Sequence, residues 1–354
     1  MPMLADQVDG VIGVDTHKDT HVAAACRPTG GVDAEDNAGT DQAGLERLLA
    51  FGRAQIPGTR VWAIEGCGSY GAGLAALLLA AGETVVEVER PARPKRRCGA
   101  KSDSIDAARA AKEALGTETH KLARPKHGED REALRAIMTA RASAIEARKA
   151  ALGVLAHQRI TGPTELRETL RGLSGKALLT ACAALPDQLD TTAGAATRTA
   201  AHTLAHLAAR IQALADEEAA YDRQLRHLVT SLTPAIVAEP GAGPVTAAQM
   251  ILAYSHHGRI RDQAAFGALS GTSPIPASSG KTTRHRLNRG GDRQLNRALH
   301  TIAANRMIHH PETRAYVARR RAEGKTDRHI RRCLKRYLAR HFYRQLAANP
   351  SLAT

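Results

Sequence analysis

Val11-Ile12-Gly13-Val14-Asp15 is an apolar run that ends on a carboxylate. A second run of the same kind, Val61-Trp62-Ala63-Ile64, ends on Glu65. Short apolar runs of this sort read as buried strands. A carboxylate at the tip of a buried strand is costly unless something pairs with it. Further on, Asp103 and Asp106 stand three apart at the start of an Ala-rich stretch with helical spacing. Two strand tips and one helix turn bring four such groups together. Hard divalent cations take oxygen-rich clusters of this kind, and metal ions in such clusters drive in-line attack on a phosphodiester. Each acid also has a plain structural reading. Asp15-Thr16 starts a turn, and Asp103 with Asp106 caps its own helix. The order strand-Asp, strand-Glu, helix-Asp-x-x-Asp is what favours the metal.

The flanking sequence gives these acids a fold. Residues 11–14 and 21–26 read as strands joined by a turn over 15–20, and Gly30-Gly31 marks another turn before a third strand near 32–38. Residues 41–54 carry helical spacing through Leu45, Leu48 and Leu49, and 61–64 is a buried strand. Residues 71–81 read as a helix closing at Gly82, 84–88 as a strand, and 102–115 as a helix stopped by Gly116. Three strands in a meander, then helix-strand-helix-strand-helix, is the ribonuclease H order. An α/β RNase H-like domain is expected over 8–120, with the acids supplied by its first strand, fourth strand and last helix.

Residues 128–232 show no strand pattern. Helical patterns at about 129–158 and 196–228 flank a looser segment. Leu204, Leu207, Ile211, Leu214, Tyr221, Leu225 and Leu228 step by three and four. A helical or coiled-coil arm is expected over 121–232, without chemistry of its own. Residues 233–345 read as a mostly α, basic domain. Its Glu239-Pro240-Gly241-Ala242-Gly243-Pro244-Val245-Thr246-Ala247 has the look of a helix-hairpin-helix turn, whose glycines let backbone N–H groups approach phosphate. It also serves as an ordinary loop and helix start.

Charge is distributed unevenly. The chain has 50 Lys+Arg against 35 Asp+Glu, a formal net charge of +15, while residues 259–344 alone carry 21 basic and 5 acidic side chains. The whole excess therefore lies near the C-terminal end, an electrostatic footprint for a polyanion. A second basic cluster, Arg90, Arg93, Lys95, Arg96, Arg97 and Lys101, runs into Asp103, as suits a site that holds phosphate next to metal. Aromatic residues make up 3% of the chain, which disfavours base-stacking platforms. The five cysteines are scattered and show no C-x-x-C spacing, which argues for a reducing cytoplasm and against a zinc site. No signal peptide opens the chain, and its longest apolar stretch, 72–81, is too short for a bilayer; no membrane association is expected.

One loop draws attention within the basic domain. Gly271-Thr272-Ser273-Pro274-Ile275-Pro276-Ala277-Ser278-Ser279-Gly280-Lys281 is followed by Arg284, Arg286 and Arg289. Small residues around a serine, with cations nearby, suit a nucleophile that must reach phosphorus. A Ser-Ser-Gly loop is more often just a flexible turn. A serine hydroxyl needs a base or a metal to act at neutral pH. His285 is the one histidine close to Ser279 in sequence, so metal activation is the simpler account.

With these motifs in place, the chain resembles the DEDD insertion-sequence transposases over nearly its full length. These proteins pair a RuvC-like N-terminal domain with a serine-bearing transposase domain. The matching stretches are Val11-Ile12-Gly13-Val14-Asp15-Thr16-His17-Lys18, Glu65-Gly66-Cys67-Gly68-Ser69-Tyr70-Gly71 and Lys101-Ser102-Asp103-Ser104-Ile105-Asp106-Ala107. In the C-terminal part they are Pro240-Gly241-Ala242-Gly243-Pro244-Val245-Thr246-Ala247, Ser278-Ser279-Gly280-Lys281 and Gly290-Gly291-Asp292-Arg293-Gln294-Leu295. One departure is Glu65-Gly66-Cys67-Gly68, where the family more often has Glu-Ala-Thr-Gly.

The resemblance implies a site-specific recombinase guided by a structured bridge RNA, acting on donor and target DNA. It implies that Asp15, Glu65, Asp103 and Asp106 bind Mg2+. The nucleophile it implies is Ser279, with Ser278 as the neighbouring alternative, forming a covalent phosphoserine. Dimers would join into tetramers, the acids of one subunit meeting the serine of another. Nucleic acid would be held by Arg96, Arg97, Lys101, Lys281, Arg284, Arg286, Arg289 and Arg293. The protein would work in the bacterial cytoplasm at the nucleoid. Two other readings use the same residues: a Holliday-junction nuclease that needs no serine, and a catalytically inactive transposase-derived nucleic-acid-binding protein. A DNA invertase is a variant of the leading one.

Overall fold

The computed structural model describes residues 2–88, 103–278 and 285–353. It divides into two units, Met1–His127 and Gly128–Thr354.

In the first unit the chain runs β1 (Gly10–Thr16), β2 (Thr20–Cys26), β3 (Val32–Gly39), α1 (Gln42–Gln55), β4 (Arg60–Glu65), α2 (Ala72–Ala80), β5 (Thr84–Val88) and α3 (Asp103–Leu115). The strands form one sheet in the order β3-β2-β1-β4-β5. β1 pairs antiparallel with β2, and β2 with β3. β1 pairs parallel with β4, and β4 with β5. A mixed sheet of this order fits the RNase H-like fold.

The apolar runs of β1 and β4 are unbroken because helices cover both faces of the sheet. Ile12, Val14, Trp62 and Ile64 pack with Leu45 and Leu48 of α1 and Leu74 and Leu78 of α2. Val11, Val61 and Ala63, one step out of phase, pack with Ala107, Ala110, Ala111 and Ala114 of α3. Successive strand residues alternate faces. Asp15 and Glu65 therefore continue the series that faces α3.

Gly13 sets how closely α3 approaches. A Cβ there would lie 2.0 Å from the Ala107 carbonyl oxygen and 2.6 Å from the Ala111 nitrogen. Both are backbone atoms, so neither can swing aside. Gly13→Ala is expected to cost about 1–3 kcal/mol by overpacking. Urea denaturation checks this, and an unchanged midpoint would rule out so close a contact.

At the opposite end of β4, a buried acid is fully served. Glu83, 8% exposed, accepts from Arg53 Nε at 2.9 Å, Arg60 Nε at 2.7 Å and Trp62 Nε1 at 3.1 Å. Burial pushes its carboxyl up, but the Arg60, Arg53 and Trp62 hydrogen bonds outweigh that and hold it at about 2. A carboxylate depressed from the ordinary 4.5 stabilises the fold above that value and loses the contribution as pH falls toward 2. Glu83→Leu leaves Arg60 without its partner and is expected to cost about 3–5 kcal/mol. It should also flatten the acid limb of a stability–pH curve. An identical acid limb in the variant would refute the assignment.

The second unit is helical: α4 (Glu129–Thr161), α5 (Thr164–Thr169), α6 (Gly175–Ala184), α7 (Ala195–Leu232), α8 (Pro234–Val237), α9 (Pro244–Tyr254) and α10 (Gln263–Leu269). A small hairpin follows, β6 (Ile275–Pro276) and β7 (His285–Arg286), then α11 (Arg293–His309), α12 (Pro311–Ala322) and α13 (Asp327–Ala347). α4 and α7 run antiparallel: Arg141 Nε meets Asp222 at 2.6 Å, and Arg148 Nη2 meets Glu218 at 2.7 Å. The segment that looks loose in sequence folds as α5 and α6. Leu166, Leu170, Cys182 and Leu185 are buried there against Leu155, Leu204 and Ile211 of the long pair. Gly172 and Gly175, both at positive φ, cut the segment into helices too short to show a period. At the other end of the pair, Leu134, Leu225 and Val229 join a core with Met250, Phe266, Leu295 and Phe342.

Candidate active site

The four acids stand on three elements whose placement is fixed by the packing above. Asp15 is the sixth residue of β1 and is 8% exposed. Glu65 ends β4. The parallel register pairs Val14 with Ile64, so the next residue on each strand is one of these acids. Thr16 Oγ1 donates to the Glu65 carbonyl at 2.8 Å, tying the two strand ends together. Asp103 and Asp106 occupy the first turn of α3. Acids there are favoured by the helix dipole, a structural contribution that coexists with any chemistry.

His17 gathers the acids further. Its Nε2 lies 3.3 Å from Asp15 Oδ2 and 3.5 Å from Asp103 Oδ1. Ligand atoms of Asp15, His17 and Asp103 all fall within 4.8 Å of one another. Asp106 stands beside this set, with Oδ1 accepting from Arg109 Nη1 at 2.6 Å. Burial raises the Asp15 carboxyl above its ordinary range; His17 opposes this, and Asp106 and Asp103 add to it. Carboxylates that repel one another around a buried member are relieved by a cation. The donor set, hard oxygens with one imidazole, fits a divalent metal. His17 carries no role in the sequence reading. Its signal was the two-residue step from Asp15, which keeps a side chain on one face of an extended chain.

Of the other expected site residues, Arg96, Arg97, Lys101, Ser279, Lys281 and Arg284 lie outside the described residues. Ser278 is exposed. So are Arg286 in β7, Arg289, and Arg293 at the start of α11. The Gly290-Gly291-Asp292 motif has a clear local task. Asp292 caps α11, accepting from the Gln294 and Leu295 amides at 2.9 Å. A Cβ at Gly291 would lie 2.4 Å from the Gly271 nitrogen, so the start of the serine-bearing stretch packs directly on this cap. In the other glycine turn, Thr246 Oγ1 accepts from the Gly243 amide at 2.9 Å, and Arg306 Nε donates to the Pro240 carbonyl at 2.6 Å.

Comparison with known proteins agrees with this picture. Residues 12–157 match a family model described as Transposase, for DEDD transposases of the IS110 type. Residues 235–318 match the Transposase IS116/IS110/IS902 family. A stretch of 123 residues is 32% identical to the "Insertion element IS110 uncharacterized 43.6 kDa protein" of Streptomyces coelicolor. That stretch spans 34% of this chain and 30% of that relative's length. The chain belongs to the DEDD insertion-sequence transposase family.

Proposed function

From that membership we propose that the chain cuts and rejoins DNA as an RNA-guided transposase and site-specific recombinase. The observation that carries the reading is the convergence of Asp15, His17 and Asp103, with Asp106 and the tip of β4 alongside. Asp15, Glu65, Asp103 and Asp106 hold Mg2+, and His17 keeps Asp103 against Asp15. When bound, the cation polarises the scissile phosphate and stabilises the leaving oxygen. Arg109 fixes the Asp106 carboxylate in place.

Ser279 is the nucleophile in this reading. Its Oγ–P bond forms as the phosphorus–deoxyribose oxygen bond breaks; the serine loses a proton and the leaving oxygen gains one. One phosphoester is exchanged for another, so rejoining is the same step reversed. Sequence choice comes from a bridge RNA paired to donor and target DNA. Dimers join into tetramers in which one subunit's acids meet another's serine. Leu152, Val154 and Ile160, large apolar side chains left exposed on α4, support assembly through the arm.

Binding is expected to rest on backbone phosphates, because residues 259–344 carry an excess of +16. The log of the affinity for duplex DNA should fall with log salt by about 0.9 for each neutralised phosphate, giving a slope of several units; a flat profile would refute it. The reading as a whole is tested by recombination of a plasmid carrying the element's ends and the non-coding RNA beside the gene. Recombination should require that RNA. Equal recombination by protein alone would remove the guide from the account.

A further inference from the structure

A cavity of about 340 Å³ opens in the second unit between the β6–β7 hairpin and the turn joining α12 to α13. Its lining includes Arg286 from β7, Lys325 from the turn, and Arg332 and Lys335 from α13, and no carboxylate among the described residues. An adjoining cavity of about 640 Å³ shares Arg286 and Arg332 and adds Arg289 and Arg328. Arg320, which also lines the first cavity, is neutralised by Glu323, and Arg321 just outside it by Asp327 at 2.8 Å. Arg286, Lys325, Arg332 and Lys335 have no such partner among the described residues.

Lys335 is the telling member. Its Nζ donates to Asn296 Oδ1 at 2.6 Å, and Asn296 Nδ2 donates in turn to the Ser270 carbonyl at 2.6 Å. The ammonium is thus aimed and half-buried by a neutral relay from α11. Burial lowers its pKa, and Arg332 and Arg331 lower it further. Grouping cations where each disfavours the next is costly, and an anion in the cavity removes the cost. The space suits one nucleotide's phosphate and sugar, and its wall runs in sequence straight to Ser278 and away from it at His285.

We propose that this cavity is a phosphodiester pocket, in which Lys335, aimed by Asn296, and Arg332 hold a backbone phosphate of a nucleic-acid strand. That the strand so held is the one Ser279 attacks rests on the function proposed above; the binding itself does not. A backbone phosphate is common to every nucleotide, so a contact of this kind fixes the position of a strand and leaves its sequence free.

The test uses the full chain carrying Ser279→Ala, so that no covalent chemistry enters. The probes are fluorescein-labelled oligothymidylate DNA and oligouridylate RNA. Lys335→Met and Arg332→Gln should each weaken binding about tenfold and reduce the salt slope by about one. Lys335→Arg should retain most of the affinity, and Lys176→Gln, exposed on α6 and outside the basic stretch, should change neither the DNA arm nor the RNA arm. The probe whose binding suffers identifies the strand. A second measurement needs no variant. Cys333 lines the cavity and is partly exposed, whereas Cys26, Cys67 and Cys182 are buried. Alkylation of Cys333, followed by mass spectrometry of its peptide, should slow severalfold when either oligonucleotide is bound. Unchanged binding in folded Lys335→Met and Arg332→Gln proteins would overturn the proposal, as would unchanged Cys333 alkylation at saturating oligonucleotide. Loss of the covalent adduct in the parent protein would instead speak only to Ser279.

Discussion

Asp15→Asn protein is expected to lose DNA strand cleavage by about a thousandfold or more while folding as the parent does. Metal stabilisation of a transition state is worth several kcal/mol, and about 1.4 kcal/mol is a factor of ten in rate. Asparagine fills the same space on β1 and keeps one oxygen, so the packing of Val11 and Gly13 against α3 is undisturbed. The neighbourhood disfavours a charge at this position, through burial and through Asp106 and Asp103. Removing that charge should leave the melting temperature equal or slightly raised. This combination, lost cleavage with unharmed stability, separates a functional acid from a structural one. Asp106→Asn should lose cleavage too. Full cleavage by either variant in Mg2+ would sink the account.

Ser279→Ala is the second large effect. Denaturing gels of protein incubated with DNA bearing the element's ends should show a covalent protein–DNA species in the parent and none in the variant. Ser278→Ala should keep it. An adduct that survives Ser279→Ala moves the nucleophile, with Ser278 the first candidate; a wholly hydrolytic enzyme would form no adduct in any of them. The same two variants address assembly. Mixing Ser279→Ala protein with Asp15→Asn protein should restore part of the activity if one subunit's acids serve another's serine. No rescue in the mixture would place the whole site within one chain.

Much of the first unit could be read from the sequence because its signals are local. The apolar runs at Val11 and Val61 mark the two strands and leave Asp15 and Glu65 at their tips, although β1 continues to Thr16, through the start of the expected turn; that these acids share the face of α3 is visible only in the packing. His17 lies one residue past β1, and its two-residue step from Asp15 marks it only once the strand is known to run that far. α5 and α6 were hidden by Gly172 and Gly175, whose positive φ breaks the helical period. The cavity around Lys335 could not be read at all. It is assembled from residues 271–274, 285–288 and 320–335, brought together where Asp292 caps α11 beside Gly271 and α13 packs on α11. Charge counting over 259–344 registers the cations but not which of them lack a carboxylate. The residues for which sequence offers the most chemistry, Ser279 and the basic run 90–101, lie outside the described residues.

Calorimetric titration of Mn2+, as a stand-in for Mg2+, into the nucleic-acid-free full chain tests the acidic centre most directly. The parent should show a saturable heat of binding that is lost in Asp15→Asn and in Asp103→Asn, both with unchanged circular dichroism. Equal Mn2+ binding by parent and variants would contradict a metal centre built on these acids.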